Sequence, residues 1–184
     1  MPRLLAACVV HALRPDSGAE GVTGIDKRPV SGAVRVGRYG LRGDVQASRK
    51  HHGGLQQALY AYAQEDAEFW EAELGRSLPP GWFGENLRVK GLDLATARVG
   101  DVWRIGDRVE AQVTSPRTPC ATFARWVGGK DERGWVRRFG AERRLGVYLS
   151  VRRVGEIAAG DGIVPESAPV EAPTALSLWG GGAD

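Results

Sequence analysis

Cys120 closes the hexapeptide Ser115-Pro116-Arg117-Thr118-Pro119-Cys120 and precedes the helix-forming run Ala121-Thr122-Phe123-Ala124-Arg125-Trp126-Val127. A thiol and a cation therefore meet at a helix start. Two prolines fix the backbone on the way in, Thr118 has an N-cap side chain, and Pro119 suits the first helical position, where a missing N–H costs nothing. In that setting the helix dipole and Arg117 both favour thiolate over thiol, and a thiolate is a nucleophile, a sulfur acceptor or a soft metal ligand. The competing reading is a small apolar residue kept for packing. The hexapeptide leaves both open, because the charge must be close in space and not merely in sequence.

Three other clusters could serve the same chemistry. Arg49-Lys50-His51-His52-Gly53-Gly54 offers cations, rotatable imidazole donors and a backbone able to approach a ligand, a combination suited to phosphate. Adjacent histidines on a strand point to opposite faces, so one of His51 and His52 would face a given site. As zinc ligands the pair lacks the four-ligand spacing of structural sites. Asp26-Lys27-Arg28-Pro29 places two cations side by side, either an anion clamp or a solvated pair. Glu85 and Asn86, set among Trp82, Phe83 and Leu87, are polar groups that either bind the amide edge of a ligand or tie two loops together. Asp44 either orients a histidine or holds its loop. The spacing Gly37-x-x-Gly40-x-x-Gly43 departs from a dinucleotide fingerprint and reads as turns. Residue types alone also permit a Cys/His hydrolase built on Cys120, His51 or His52, and Asp44, although no local signature of one is present.

These residues need a frame. The chain has 184 residues, enough for one domain, and its 26 glycines and 10 prolines indicate many turns and short strands. Two cysteines, Cys8 and Cys120, make no disulfide framework and no zinc ladder, which points to a reducing, cytoplasmic setting. A net charge of +3 without a basic block gives no indication of nucleic acid, and the apolar run near the N-terminus is too short to span a bilayer and reads as a first buried strand. Strands are expected over 25–36 with bends, 58–62, 87–89, 102–105, 108–114 and 145–154, with a tight turn at Gly106-Asp107. Helices are expected over 64–74, ended by Pro79-Pro80-Gly81, over 121–127 and over 132–139. The composition from 167 to 184 reads as a flexible tail after a domain of residues 1–166. The order of elements predicts a β-rich α+β fold, a closed barrel with a few inserted helices.

Four blocks in this order, Asp-Lys-Arg-Pro-Val-Ser-Gly (26–32), Gly-Leu-Arg-Gly-Asp-Val-Gln-Ala (40–47) with His-His-Gly-Gly (51–54), Phe-Gly-Glu-Asn-Leu (83–87) and Pro-Arg-Thr-Pro-Cys (116–120), resemble the MOSC domain, the molybdenum cofactor sulfurase C-terminal family, in its stand-alone bacterial YiiM-like branch. The resemblance implies a MOSC-type β-barrel and a cytoplasmic protein with Cys120 as a molybdenum ligand or as the carrier of a persulfide. It further implies the molybdenum cofactor, reduction of N-hydroxylated small molecules, and an electron-donor or sulfur-donor protein as partner. Pyridoxal phosphate is associated with the family only at family level. Carried onto this chain, Cys120 and His52 would be catalytic, and Lys27, Arg28, Lys50, His51, Glu85, Asn86 and Arg117 would hold cofactor or substrate. This chain departs in two places: Leu55-Gln56-Gln57 follows Gly53-Gly54 where relatives have Pro-Asp and a basic residue, and the helical C-terminal extension of the longer relatives is missing.

Overall fold

The computed structural model describes residues 1–18, 20–45, 53–128 and 134–180. Short alternating runs between glycines become strands: β1 (Arg3–Pro15), β2 (Val22–Pro29), β3 (Val34–Gly37), β4 (Gly40–Leu41), β5 (Leu59–Ala63), β6 (Leu87–Lys90), β7 (Val102–Ile105), β8 (Val109–Pro116), β9 (Val147–Arg153), β10 (Gly155–Ile157) and β11 (Ile163–Glu166). The helices are α1 (Gln64–Leu74), α2 (Ala121–Gly128) and α3 (Trp135–Ala141). Eight strands pair in the order β11-β7-β8-β9-β5-β6-β1-β2, and β10-β3-β4 form a second sheet. Among the described residues the one parallel pair, β5 with β6, is joined through α1 as a β-α-β crossover.

The fold is therefore sheet-rich α+β, but its ladders do not make the closed barrel expected from the sequence. β11 and β2 end the eight-stranded order. The long β1 is bent by register shifts against both neighbours, and its first residues swing back to the far end of the sheet. There Arg3 bridges Gly162, and Ile163 N–H donates to Pro2 O at 2.9 Å. Isolated bonds, not a ladder, span that seam, next to a four-residue β11 that contains Pro165 and so lacks one donor.

β5 shows how the layers arise. Leu59, Ala61 and Ala63 enter one core with Leu4, Leu87, Val89, Ile105, Val113 and Leu149, while Tyr60 and Tyr62 enter a second with Trp70, Phe83, Phe123 and Phe139. The period-two alternation sends neighbours to opposite faces, and every residue of the strand is buried because both faces are covered. The three helices cover the aromatic face, where Tyr62 stacks on Phe83 with centroids 4.1 Å apart.

Two sequence expectations change here. α1 stops at Gly75, whose left-handed backbone lets its N–H cap Glu71 O, so the helix is over before Pro79 and Pro80 are reached. The segment expected to be a flexible tail is packed through residue 179: Ala175 N–H donates to Ala97 O at 2.7 Å, Ala175 is fully buried, and Leu176 and Trp179 join the aromatic core. Composition hid three apolar anchors among its prolines and glycines. Among the described residues, no helix is long and apolar enough to cross a membrane.

Candidate functional site

The site begins with a buried ion pair. Between α1 and β6 the chain turns through Gly81-Trp82-Phe83-Gly84, and Glu85 holds that turn by accepting from Gly81 N–H at 2.7 Å and Phe83 N–H at 3.0 Å. Its other partner is Arg88, Nε at 2.8 Å and Nη2 at 2.6 Å, and neither side chain is exposed at all. Gly81 has φ 92°, and a Cβ there would run into the Lys27 carbonyl, so only glycine lets this turn lie against β2. Asn86 follows. Its Oδ1 accepts from Tyr60 N–H at 3.2 Å, and its Nδ2 donates to Cys8 O at 3.2 Å and to Asp44 Oδ2 at 2.7 Å. Asp44 also accepts from Val10 N–H at 2.9 Å and from Lys27 Nζ at 2.6 Å, which makes it the hub that locks β1, β2 and the turn together.

Above this frame lies a cavity of about 420 Å³. Its wall includes Lys27 and Asn86, Tyr60 and Tyr148 on the paired strands β5 and β9, and Arg117, Cys120, Ala121 and Thr122 where β8 hands over to α2. Cys120 O accepts from Ala124 N–H at 3.0 Å, so Cys120 itself takes the N-cap position expected of Thr118, which is exposed. Arg117 is buried, with Nη2 3.9 Å from Cys120 Sγ and its guanidinium carbon 4.6 Å from the Phe123 ring centroid. No carboxylate pairs with Arg117 among the described residues, and its buried Nη1 has no hydrogen-bond partner. Burial pushes the Tyr148 hydroxyl up from its usual range, although Arg117 pulls it the other way, and Tyr60, which donates to Leu145 O, is likewise raised by burial.

The structure thus brings Cys120, Arg117, Lys27 and Asn86 to one cavity, with two qualifications of role. Lys27 is paired with Asp44, and the Asn86 amide is spent on the frame. Arg28 is elsewhere: consecutive strand residues face opposite ways, and its side chain is 56% exposed beside Asp26, so the expected two-cation clamp is halved. Glu85 is also outside the cavity wall, and in this structure its carboxylate is taken up by the turn and Arg88, where it ties loops together. Lys50, His51 and His52 lie outside the described residues, although Val45 and Gly53, on either side of that segment, both line the cavity.

The sequence reading missed a clamp that also lines the cavity. Asp16, just after β1, receives Arg125 Nε and Nη2, each at 2.7 Å, and Thr122 Oγ1 at 3.0 Å, tying the β1–β2 connection to α2. The residues are 106 or more positions apart, and only the i, i+3 spacing of Thr122 and Arg125 on one helix face gave a local signal. The hydrogen bonds from Arg125 hold the Asp16 carboxyl below its ordinary 3.8. A depressed folded-state value means that the clamp stabilises the fold above the ordinary value and is lost as pH falls through the lower one. With Arg125 37% exposed, solvent screening keeps the contribution to about 1 kcal/mol or less. Asp16→Asn should cost that amount in urea unfolding at pH 7, and the difference from the parent should vanish at acid pH. A pH-independent difference would assign the effect to something other than the charge.

The two thiols differ sharply in setting. Cys8 is fully buried, and burial pushes its thiol up to about 12, whereas Cys120 is half-buried on the cavity wall with Arg117 beside it. Alkylation of the folded protein by iodoacetamide at pH 7.5, followed by peptide mass mapping, should therefore modify Cys120 and leave Cys8 untouched. Equal labelling of both would refute this assignment.

The site is a cavity lined by a thiol at a helix N-terminus and a buried arginine, in a sheet-rich α+β fold. The chain belongs to the MOSC domain family, whose model matches residues 48–164. It is 39% identical to the Bacillus subtilis protein YflK over 138 residues, 75% of this chain and 61% of that one. It is also 38% identical to Escherichia coli YiiM over 100 residues, 52% of this chain and 44% of that one. A Gibberella moniliformis protein named reductase is 30% identical over 79% of this chain and 26% of its own length. The chain therefore spans less than two thirds of the length of these relatives. Its fold is similar to the crystal structure of YiiM from Geobacillus stearothermophilus, with TM-score 0.76 and 27% identity over 97% of this chain and 82% of that one.

Proposed function

We propose that this chain binds molybdenum cofactor in the Cys120 cavity and supports reduction of N-hydroxylated small molecules, with electrons brought by a separate protein. The observation that carries the reading is the pairing of Cys120 Sγ with Arg117, a buried guanidinium on the wall of a 420 Å³ cavity. That volume is in the range of small-molecule and cofactor sites. Among the described residues no three His, Cys, Asp or Glu side chains gather as a metal-binding group. One soft thiolate suits a metal that arrives with ligands of its own, as it does in this cofactor. When bound, the cofactor supplies the two-electron chemistry that an N–O bond reduction needs.

The roles of the chain's own groups follow from their places. Cys120 would hold the metal, from the start of α2 and with Arg117 Nη2 3.9 Å from its sulfur. Arg117 sets a positive potential on the wall, where Lys27 is answered by Asp44, and the rings of Tyr60, Phe83 and Tyr148 give an apolar wall against which a substrate is held away from water. His52 as a catalytic group, and Lys50 and His51 as phosphate-binding groups, are proposed from the sequence. The relative named reductase is consistent with such chemistry.

Protein expressed in a host that makes the cofactor should contain molybdenum and pterin in near-equal amounts, read by elemental analysis and by pterin fluorescence after oxidation. Absence of both would overturn the reading. The thiolate setting equally suits the alternative, a sulfur carrier that turns nothing over, and a persulfide on Cys120 in protein devoid of pterin would favour it.

A further inference from the structure

A charged pair on a cavity wall is either a binding group or a tie, and the hydrogen bonds of Asp16 make it a tie. Its Oδ1 accepts from Arg125 Nε at 2.7 Å, and its Oδ2 accepts from Arg125 Nη2 at 2.7 Å, Thr122 Oγ1 at 3.0 Å and Gly18 N–H at 3.2 Å. Those donors fill the acceptor sites of the carboxylate and leave little to offer a ligand. The two segments that Asp16 joins both border the cavity, through Asp16, Gly18 and Gly24 on one side of the tie and Cys120, Thr122 and Arg125 on the other. The β1–β2 turn is braced within itself, because Asp16 N–H donates to Gly21 O and Gly21 N–H to Gly18 O, each at 3.0 Å. Where that turn stands relative to the thiol is therefore set by its fastening to α2. With Arg125 37% exposed and Asp16 8% exposed, the fork stands at the border between cavity and solvent.

A glycine keeps the fork closed. A Cβ on Gly18 would stand 2.8 Å from Asp16 Oδ2 and 3.2 Å from Arg125 Nη2, inside van der Waals contact. The Gly18 backbone lies outside the left-handed region, so space beside the fork, and not a dihedral angle, calls for glycine here.

We propose that Asp16 is a positioning residue that fixes the width of the approach to Cys120: by fastening the β1–β2 turn to α2 through Thr122 and the Arg125 fork, it admits small ligands and holds back bulky ones. When the fork is broken, turn and helix no longer move as one, and the passage beside the thiol widens. This selection applies to whatever occupies the cavity and rests on the reading above only in taking Cys120 as the group to be reached. Loss of the cofactor reading leaves it testable, and its own failure leaves that reading standing.

The test is a ratio of two alkylation rates at Cys120 in the folded full chain, read by peptide mass mapping. Pyrene maleimide is bulky and neutral, iodoacetamide is small and neutral, and each rate is referred to that of glutathione, a thiol without a cavity. A change in thiolate content moves both rates together and cancels in the ratio. The parent ratio should lie well below that of glutathione. In Asp16→Asn, Arg125→Lys and Gly18→Ala it should rise about three- to fivefold, the factor that losing a tie of about 1 kcal/mol makes. Arg125→Lys keeps the charge but not the two-point fork, and Gly18→Ala keeps every charge and presses on the fork only through space, so a rise in these two reports access to the thiol. A parent ratio equal to that of glutathione would overturn the proposal. So would variants in which both rates rise equally and the ratio stays put, since the clamp would then act on the charge of the thiol and not on its access. Gly18 and Arg125 are both partly exposed and lie in different parts of the chain, so one variant that does not fold leaves the other decisive.

Discussion

Glu85→Ala is expected to lower the free energy of unfolding by about 3–5 kcal/mol, the cost of breaking a buried ion pair from one side. The carboxylate is the acceptor for Gly81 and Phe83 N–H and for Arg88, and the deletion leaves all of them short. Arg88 would keep Gln64 Oε1 and the Leu78 and Pro79 carbonyls, but no charge to answer its own. Its guanidinium carbon, 5.6 and 5.9 Å from the Phe83 and Tyr62 ring centroids, would stay inside the aromatic core as an uncompensated cation. Domains of this kind are stable by about 5–15 kcal/mol, so the loss is a large fraction of the total. Urea unfolding at pH 7, followed by tryptophan fluorescence and compared with the parent, measures it directly. A change below about 1 kcal/mol would mean that the network is replaceable by water, contrary to its burial. The cavity would feel the change too, since Phe83, Gly84 and Asn86 on its wall belong to the turn that Glu85 holds.

The second large effect separates chemistry from stability. On the proposed cofactor reading, Cys120→Ser is expected to reduce molybdenum and pterin content at least about tenfold, because a serine hydroxyl is a harder, poorer ligand than a cysteine sulfur. The unfolding midpoint should barely move, since the side chain is half-exposed on a cavity wall and substitutions at such positions shift stability by about 0.5 kcal/mol. Cys8→Ser should do the opposite. It places a hydroxyl in a fully buried site with no partner prepared for it, costs about 1–3 kcal/mol, and leaves the Cys120 cavity chemistry in place. Retention of cofactor by Cys120→Ser at the parent level would remove Cys120 from the metal's ligands.

How far the site could be read in the sequence depended on how local each contact is. Arg117 and Cys120 are three residues apart with Pro119 between them, but closeness in sequence left their closeness in space open, and it is the fold that sets Nη2 3.9 Å from Sγ. Lys27 and Arg28 looked equivalent in a string, but the pleat of β2 sends one to the cavity and the other to solvent. Glu85 and Asn86 were legible as polar groups that must be satisfied, while the identity of their partners was not, because Asp44, Cys8 and Tyr60 reach Asn86 from three separate strands or loops. The Asp16 clamp was invisible for the same reason: its partners are over a hundred residues away, and an aspartate after a strand looks like any turn residue.

The elements themselves were set largely by local patterns. Alternation made β5, acidic residues at its start and an apolar face made α1, and the glycine-rich punctuation made a sheet of short strands instead of a helical bundle. Whether that sheet closes was a tertiary matter, decided by how far the bent β1 swings back toward Gly162 and by a proline in the short strand beside the seam. The packing of the last residues was tertiary as well, since Ala175, Leu176 and Trp179 count as anchors only when a core lies within reach. The sequence determined that Cys120 would begin a helix beside a cation, because dihedral limits and charge act over a few residues. The tertiary structure decided that this pair lines a cavity, that Arg117 is buried there with one donor unspent, and that Asp44 takes up Lys27, because burial and long-range pairing depend on which distant strands the fold brings together.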